Sequence, residues 1–214
     1  MAIVQNPITG RTKKKFGTAV FAKQFTKNTM RTKPIEVKNP KTLLQRQQRS
    51  KFSLMVALAR MFLSFIRVGF RQVAIEMSAF NMFMKNNIKD VISGVYPAYT
   101  IDFTKLIVTK GTLTGADNPT ATAIAGHKIT IDWTDNTGTG DALATDKAMQ
   151  LVINYDKGTV VQDTTTKTRV DATNDLLVPA SWVGDEVHVY LSFMNEAGAR
   201  IADSLYLDSV TILT

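Results

Sequence analysis

The chain predicts an α+β protein in three parts: a basic N-terminal arm or β-hairpin over residues 1–39, two apolar helices over 40–98, and an antiparallel β-sandwich over 99–214. Three observations carry this expectation. Apolar residues recur at three- and four-residue steps between residues 43 and 92, then at every second position after Tyr99. Turn residues separate the alternating segments of the second half at near-regular intervals. Charge changes sign at the same place: residues 1–100 hold 18 Lys and Arg against 3 Asp and Glu, a net of +15, whereas residues 101–214 hold 8 against 15, a net of −7.

The first 39 residues are basic and rich in Thr, Asn, Gly and Pro. Within them Phe16–Ala22 with Phe25 reads as one short strand and Asn28–Lys33 as a second, joined into a hairpin or extended arm with Gly10 and Gly17 as flexible points. Asn39 or Thr42 can cap the helix that follows, and Leu43–Phe52 continues it with strong helix formers. Phe52, Met55, Val56, Ala59, Phe62, Leu63 and Ile66 form one apolar face, and Leu54, Leu58, Met61 and Phe65 form a second row beside it. Arg46, Arg49, Ser53, Arg60 and Arg67 make a polar stripe. Gly69 is expected to break or bend this helix, and a second helix is expected around Gln72–Ile92, ended by Ser93-Gly94 and Tyr96-Pro97. Strands are expected at 105–113, 128–133, 149–155, 159–165, 173–178, 187–193 and 201–207, with Ile129, Ile131 and Trp133 on one face of theirs.

Composition narrows the chemistry. With 44% hydrophobic and 21% charged residues the chain has the material for a packed core. It contains no cysteine, so disulfides, thiolate nucleophiles, iron–sulfur clusters and cysteine-ligated zinc are excluded. The start MAIVQNPITGRTKKK has no apolar stretch behind its charges, so synthesis in a cytoplasm without a signal peptide is expected. Arg60 and Arg67 interrupt the most apolar window, residues 52–70, leaving runs far short of the ~18 residues of a spanning helix. His127 and His188 have no acid or nucleophile motif around them and read as structural. The Asp135–Asp141 turn lacks the closing glutamate of a calcium loop, and Gly138 and Gly140 lack the Lys-Ser/Thr of a nucleotide loop. No enzymatic activity, metal, cofactor or small-molecule substrate is expected.

Two sets of residues remain as candidates for contact. Arg11, Lys13, Lys14, Lys15, Lys23, Lys27, Arg31, Lys33, Lys38, Lys41, Arg46 and Arg49 can neutralise a row of phosphates or an acidic protein surface, with Phe16, Phe21 and Phe25 near enough to stack on bases. A helix apolar on more than one face wants burial on several sides, and other copies of the chain are the expected source. Phe52, Met55, Leu58, Phe62, Phe65, Phe80 and Phe83 are the candidate oligomer interface.

Resemblance adds to this reading. Trp133 in an early strand, and Leu177-Val178-Pro179-Ala180-Ser181-Trp182 before the alternating Val187, Val189 and Leu191, make the second half similar to a fibronectin type III or immunoglobulin-like domain; a corner tyrosine is missing. The whole chain resembles a family of proteins of unknown function from Bacteroidota and their phages. The residues responsible are Asn6-Pro7-Ile8-Thr9-Gly10-Arg11, Phe16-Gly17, Arg31-Thr32-Lys33-Pro34, Asn39-Pro40-Lys41-Thr42, Gln45, Gln48-Arg49, Lys51-Phe52, Tyr96–Asp102 and Ala144–Met149. The N-terminal pattern is similar to small proteins encoded among phage structural genes. The expected function is therefore a non-enzymatic, self-assembling structural protein of a phage particle or phage-derived assembly, with other copies of itself as partners. The alternative is a cytoplasmic protein that binds DNA or RNA through residues 11–51 without regard to sequence.

Overall fold

The alternating run on either side of Gly17 builds a hairpin, and that hairpin forms one edge of a small N-terminal sheet. The computed structural model describes residues 2–3, 14–24, 27–36 and 39–214, with the backbone alone at residues 2, 3, 14, 16, 23 and 24. It divides into two units, Met1–Arg46 and Gln47–Thr214.

In the first unit β1 (Ala2–Ile3), β2 (Lys14–Phe16), β3 (Ala19–Gln24) and β4 (Lys27–Thr32) form an antiparallel sheet in the order β1-β4-β3-β2. Gly17 turns β2 into β3 at φ +57°, a conformation that costs a residue with a Cβ. The Thr29 hydroxyl donates to the Ala22 carbonyl at 3.0 Å, and the Lys33 amide to the Thr18 carbonyl at 2.7 Å. None of the described side chains of this unit is buried.

The second unit opens with α1 (Leu43–Met61), whose first turn precedes the division, followed by α2 (Leu63–Gly69) and α3 (Ala79–Asn87). The axes of α1 and α2 meet at 88°. The bend falls at Phe62, not at Gly69 as the sequence predicts. Phe62 leaves the helical backbone conformation, at φ −128° and ψ 40°, and its ring is wholly buried. Gly69 ends α2 at a close approach: a Cβ there would lie 2.6 Å from the Thr109 methyl and 2.9 Å from the Val108 carbonyl. The second helix is shorter than its periodicity suggests, because Gln72 is committed elsewhere. Its side chain accepts from the Ile201 amide at 3.1 Å and donates to the Thr112 hydroxyl at 2.8 Å. Only at Ser78, whose hydroxyl accepts from the Asn81 amide, does α3 start. Beyond it, β5 (Ile92–Val95) and β6 (Ala98–Ile101) form a hairpin where only a helix end was expected.

The expected strand at 105–113 belongs to no sheet. It runs as an extended segment held by side chains: the Asn87 amide donates to the Ile107 carbonyl and accepts from its amide, at 2.9 and 2.8 Å, in place of a neighbouring strand. Thr109 donates to the Ser192 hydroxyl and the Ala202 carbonyl.

Seven strands follow, all paired antiparallel: β7 (Asp117–Ile124), β8 (Lys128–Thr134), β9 (Lys147–Asn154), β10 (Thr159–Asp163), β11 (Thr173–Leu177), β12 (Glu186–Met194) and β13 (Leu205–Thr211). They form a four-stranded sheet, β10-β9-β12-β13, and a three-stranded sheet, β11-β8-β7. Sequence reading misses β7, because Asp117-Asn118-Pro119 looks like a turn; β7 is an edge strand, where proline does not break a ladder, and its register shifts between Asp117 and Thr120.

Alternation on β9 and β12 feeds two cores. Met149, Leu151, Ile153, Tyr190 and Met194 pack with Met55, Leu58, Phe62, Phe65, Phe83 and Val108 on the helical side. Ala148, Val152, Val187, Val189, Leu191 and Phe193 pack on the other side with Ile129, Ile131, Trp133 and Leu176 of the three-stranded sheet. The second unit is thus layered: helices, four-stranded sheet, three-stranded sheet. Phe83 sits edge-on to both Phe62 and Phe70, at 5.7 and 5.9 Å.

A buried ion pair closes one end of the inter-sheet layer. Arg169 and Asp146 are both fully buried, with Nη2 and Nε of the guanidinium 3.1 and 3.2 Å from one carboxylate oxygen. The remaining donors reach the carbonyls of Thr114 and Gly115 and the Asn136 side chain, and the guanidinium lies 3.9 Å from the centre of the Phe193 ring. Trp133 donates its indole N–H to the Arg169 carbonyl at 2.8 Å. Burial pulls the Arg169 pKa down, and Asp146 opposes the shift.

Arg169→Met leaves the Asp146 carboxylate without its counter-charge, and urea unfolding should show a loss of about 3–5 kcal/mol. Combining it with Asp146→Leu should recover part of that loss, since the unpaired charge is then gone. Phe83→Ala should cost about 3–5 kcal/mol in the same measurement, through the cavity left between Phe62 and Phe70.

Candidate interaction surfaces

Basic side chains of the N-terminal unit are brought together by strand register. Val20 pairs with Lys15 on one side and with Arg31 on the other, so Lys15, Val20 and Arg31 form one row across three strands. On β4, Lys27, Thr29 and Arg31 occupy alternate positions and so share a face. Lys15, Lys27 and Arg31 are exposed. Phe21 and Met30 form a cross-strand pair at the intervening register, with Met30 37% exposed. Lys33, Lys41 and Arg46 are exposed as well, and the backbones of Lys14 and Lys23 lie in β2 and β3. Arg11, Lys13, Phe25 and Lys38 lie outside the described residues.

The helices offer a second surface. Five of the residues expected at an oligomer interface, Met55, Leu58, Phe62, Phe65 and Phe83, are buried in the chain's own core against the four-stranded sheet. The burial that α1 demands on several sides is thus supplied within the chain. Phe52, 48% exposed, and Phe80 remain at the surface. Phe52 shares an open groove of about 480 Å³ with Gln48, Arg49, Ser53, Val56, Ala57 and Arg60. A neighbouring depression of about 460 Å³ carries the same floor on to Leu63, Arg67 and Phe80. The polar stripe read from the sequence is therefore the arginine rim of an apolar groove. Lys51 lies 5.0 Å from the Tyr99 ring, on the flank of the same helix.

A third surface was not legible as a site. On the helical side of the four-stranded sheet, His188 stacks on Phe103 at 3.7 Å and 15°, and Tyr155 meets Phe103 edge-on at 5.4 Å. His188 Nδ1 and the Tyr206 hydroxyl are 3.1 Å apart, and the Tyr190 hydroxyl donates to the Phe103 carbonyl at 2.7 Å. Burial raises the pKa of Tyr190 and Tyr206, so both stay neutral. The one sequence signal was alternation: Glu186, His188 and Tyr190 share a strand face. His127 is a turn residue at φ +58°. The carboxylates of the Asp135–Asp141 turn are committed to protein groups: Asp135 accepts from Thr137, and Asp141 from Thr114 and Arg200. The Thr114 bonds hold Asp141 down at about 2. Among the described residues no cluster of three or more His, Asp or Glu could hold a metal, and no single helix is long and apolar enough to cross a membrane.

Burial holds the His188 pKa below 6.5, against the opposing pull of Glu186, Asp156 and Asp208. An unfolded chain therefore binds a proton more readily than the folded one just below pH 6.5. The contribution of this histidine to stability is complete above that pH and is lost as pH falls through the folded value. Urea midpoints at pH 5 and pH 7 should differ for the wild type, and His188→Gln should reduce the difference.

No curated protein matches the chain. A model of a family of unknown function, DUF6266, matches residues 11–208, and the chain belongs to that family.

Proposed function

We propose that the protein is a non-enzymatic structural component that assembles with copies of itself, and that residues 1–46 are its contact element. One observation carries this reading. Residues 1–46 hold 11 Lys and Arg against 1 Asp or Glu, a net of +10, while residues 47–214 hold 15 against 17, a net of −2. A unit with that charge and no buried described side chain has little to hold it together by itself, because a small sheet needs a hydrophobic face packed against something to be stable. An acidic protein surface supplies both the counter-charge and the cover. The arginine-rimmed groove on α1 adds an unfilled apolar surface of the kind that marks protein contacts. The resemblance to proteins encoded among phage structural genes supports reading the assembly as part of a phage particle or a phage-derived structure.

The expected immunoglobulin-like β-sandwich over 99–214 is read in the seven strands from Asp117 to Thr211. Seven antiparallel strands in sheets of four and three, one shared hydrophobic layer, and three connections that cross between the sheets support that reading.

A second reading, sequence-independent binding of DNA or RNA through residues 11–51, is favoured by the row of Lys15 and Arg31 and by Lys27 beside it. The two differ in what they require. Sedimentation and negative-stain imaging of the purified chain should show a filament, ring or shell without nucleic acid. Protein that stays monomeric at high concentration would overturn the first reading, and assembly only upon adding nucleic acid would favour the second. In that case affinity should fall steeply with salt, and Lys15→Glu with Arg31→Glu should flatten the dependence.

A further inference from the structure

We propose that the aromatic surface around His188 is the receptor for the basic N-terminal unit of a second copy, which gives the assembly a head-to-tail contact. This rests on the assembly reading above and names the surface that the contact element meets.

The surface has the composition that recognises lysine and arginine. Phe103, Tyr155, His188 and Tyr206 form a continuous aromatic group, and Tyr155 is 38% exposed. A cation over such faces is attracted by the ring quadrupoles. Asp156, Glu186 and Asp208 are exposed at its edge, and all three act electrostatically on His188. The lysines nearby are already engaged: Lys105 pairs with Asp102 at 2.8 Å and Lys157 with Asp185 at 2.5 Å. The patch therefore keeps an excess of carboxylate around half-exposed rings, a combination that repels phosphate and suits an ammonium or guanidinium group.

Backbone geometry at this edge is also unusual. The register of β12 and β13 shifts between His188 and Tyr190, opposite a residue, Asp208, at φ +91°. A non-glycine residue there is strained, and bulges of this kind re-aim side chains at functional edges. The Asp208 carboxylate accepts from the Ser209 amide at 2.9 Å. The occupant is then read from charge. Residues 1–46 carry a net of +10, and Lys15 and Arg31 are exposed in one row. The arginine rim of the α1 groove, by contrast, would repel that unit. A contact between unlike surfaces on two copies is heterologous, and it propagates into a ring or a filament.

Charge exchange on the full-length chain tests this. Self-association is followed by sedimentation velocity over a concentration series, with melting curves and circular dichroism recorded for each variant to show that it is folded. D156K/E186K and K15E/R31E should each weaken association about tenfold or more, and the two together should restore most of it, as expected for a direct electrostatic contact. Tyr155→Ser, which leaves the charge alone, should weaken association by a smaller factor. A chain that assembles regardless of both reversals overturns the contact and leaves the assembly reading standing. Loss with K15E/R31E but not with D156K/E186K overturns it too, and points the basic unit at another partner. Wild-type protein that remains monomeric throughout overturns the contact and the assembly reading together.

Discussion

A four-stranded sheet that is apolar on both faces is the constraint on which the second unit depends. Strands β9 and β12 are buried along nearly their whole length, and successive residues enter opposite cores. Such a sheet has no side to leave in water, so it must be covered twice. The three-stranded sheet covers one face and α1, α2 and α3 cover the other. This explains why the helices are apolar over more than one row: one row meets the sheet, and another meets the remaining helices and the extended segment from Leu106 to Leu113. It also explains the polar side chains inside. Gln150 accepts from Asn174 at 2.6 Å, and Ser192 donates to the Ala202 carbonyl at 2.9 Å. Polar groups at these depths destabilise the fold unless bonded; Asn174 comes from β11 of the covering sheet, and Ala202 from the connection between β12 and β13.

Much of this order was legible in the sequence, and the failures share a cause. The hairpin, the first helix and the strands centred on Ile131, Leu151, Val161, Leu176 and Val189 follow from local periodicity. Periodicity also identifies two stripes, Met149-Leu151-Ile153 and Val187-Val189-Leu191-Phe193. It does not say that they lie on opposite faces of one sheet, which is a fact of pairing: His188 opposes Ile153, and Val189 opposes Val152. The segment at 105–113 fails for the same reason. Its alternation is real, but its backbone is bonded by the side chains of Asn87, Asp203 and Ser204 and by scattered main-chain groups such as the Gly69 and Ile201 carbonyls, and no local pattern reveals a partner 20 or 96 residues away. The aromatic surface at His188 unites residues from four separate stretches and was invisible on the same ground. Asp146 is instructive in the other sense. It lies in one of the segments that carry the family resemblance, and its role is structural, as the counter-charge of Arg169.

The charge asymmetry gains a sharper location from the structure. The sign change read near residue 100 conceals where the positive charge is densest: nearly neutral residues 47–214 follow a short unit with a net of +10. Burial divides the described residues at the same place, since among them both hydrophobic clusters draw only on residues beyond the division. Among the described residues, then, repulsion within the N-terminal unit meets no buried hydrophobic side chain of that unit, and an outside negative surface would lower its energy. Any such surface would relieve the charge, a phosphate chain included. A phosphate chain would leave Val20 in water, whereas a protein surface that presents rings between carboxylates can pack on Val20 while neutralising Lys15 and Arg31 on either side of it; Phe21 and Met30 share the other face of the sheet. The same bonding that orders the body makes that surface rigid: the Tyr190 hydroxyl fixes the Phe103 backbone, and His188 is held between Phe103 and Tyr206. A receptor whose rings are already in place loses little entropy on binding. That is the physical reason to place the contact on the sheet and not on the exposed helix groove, whose arginines have the wrong sign.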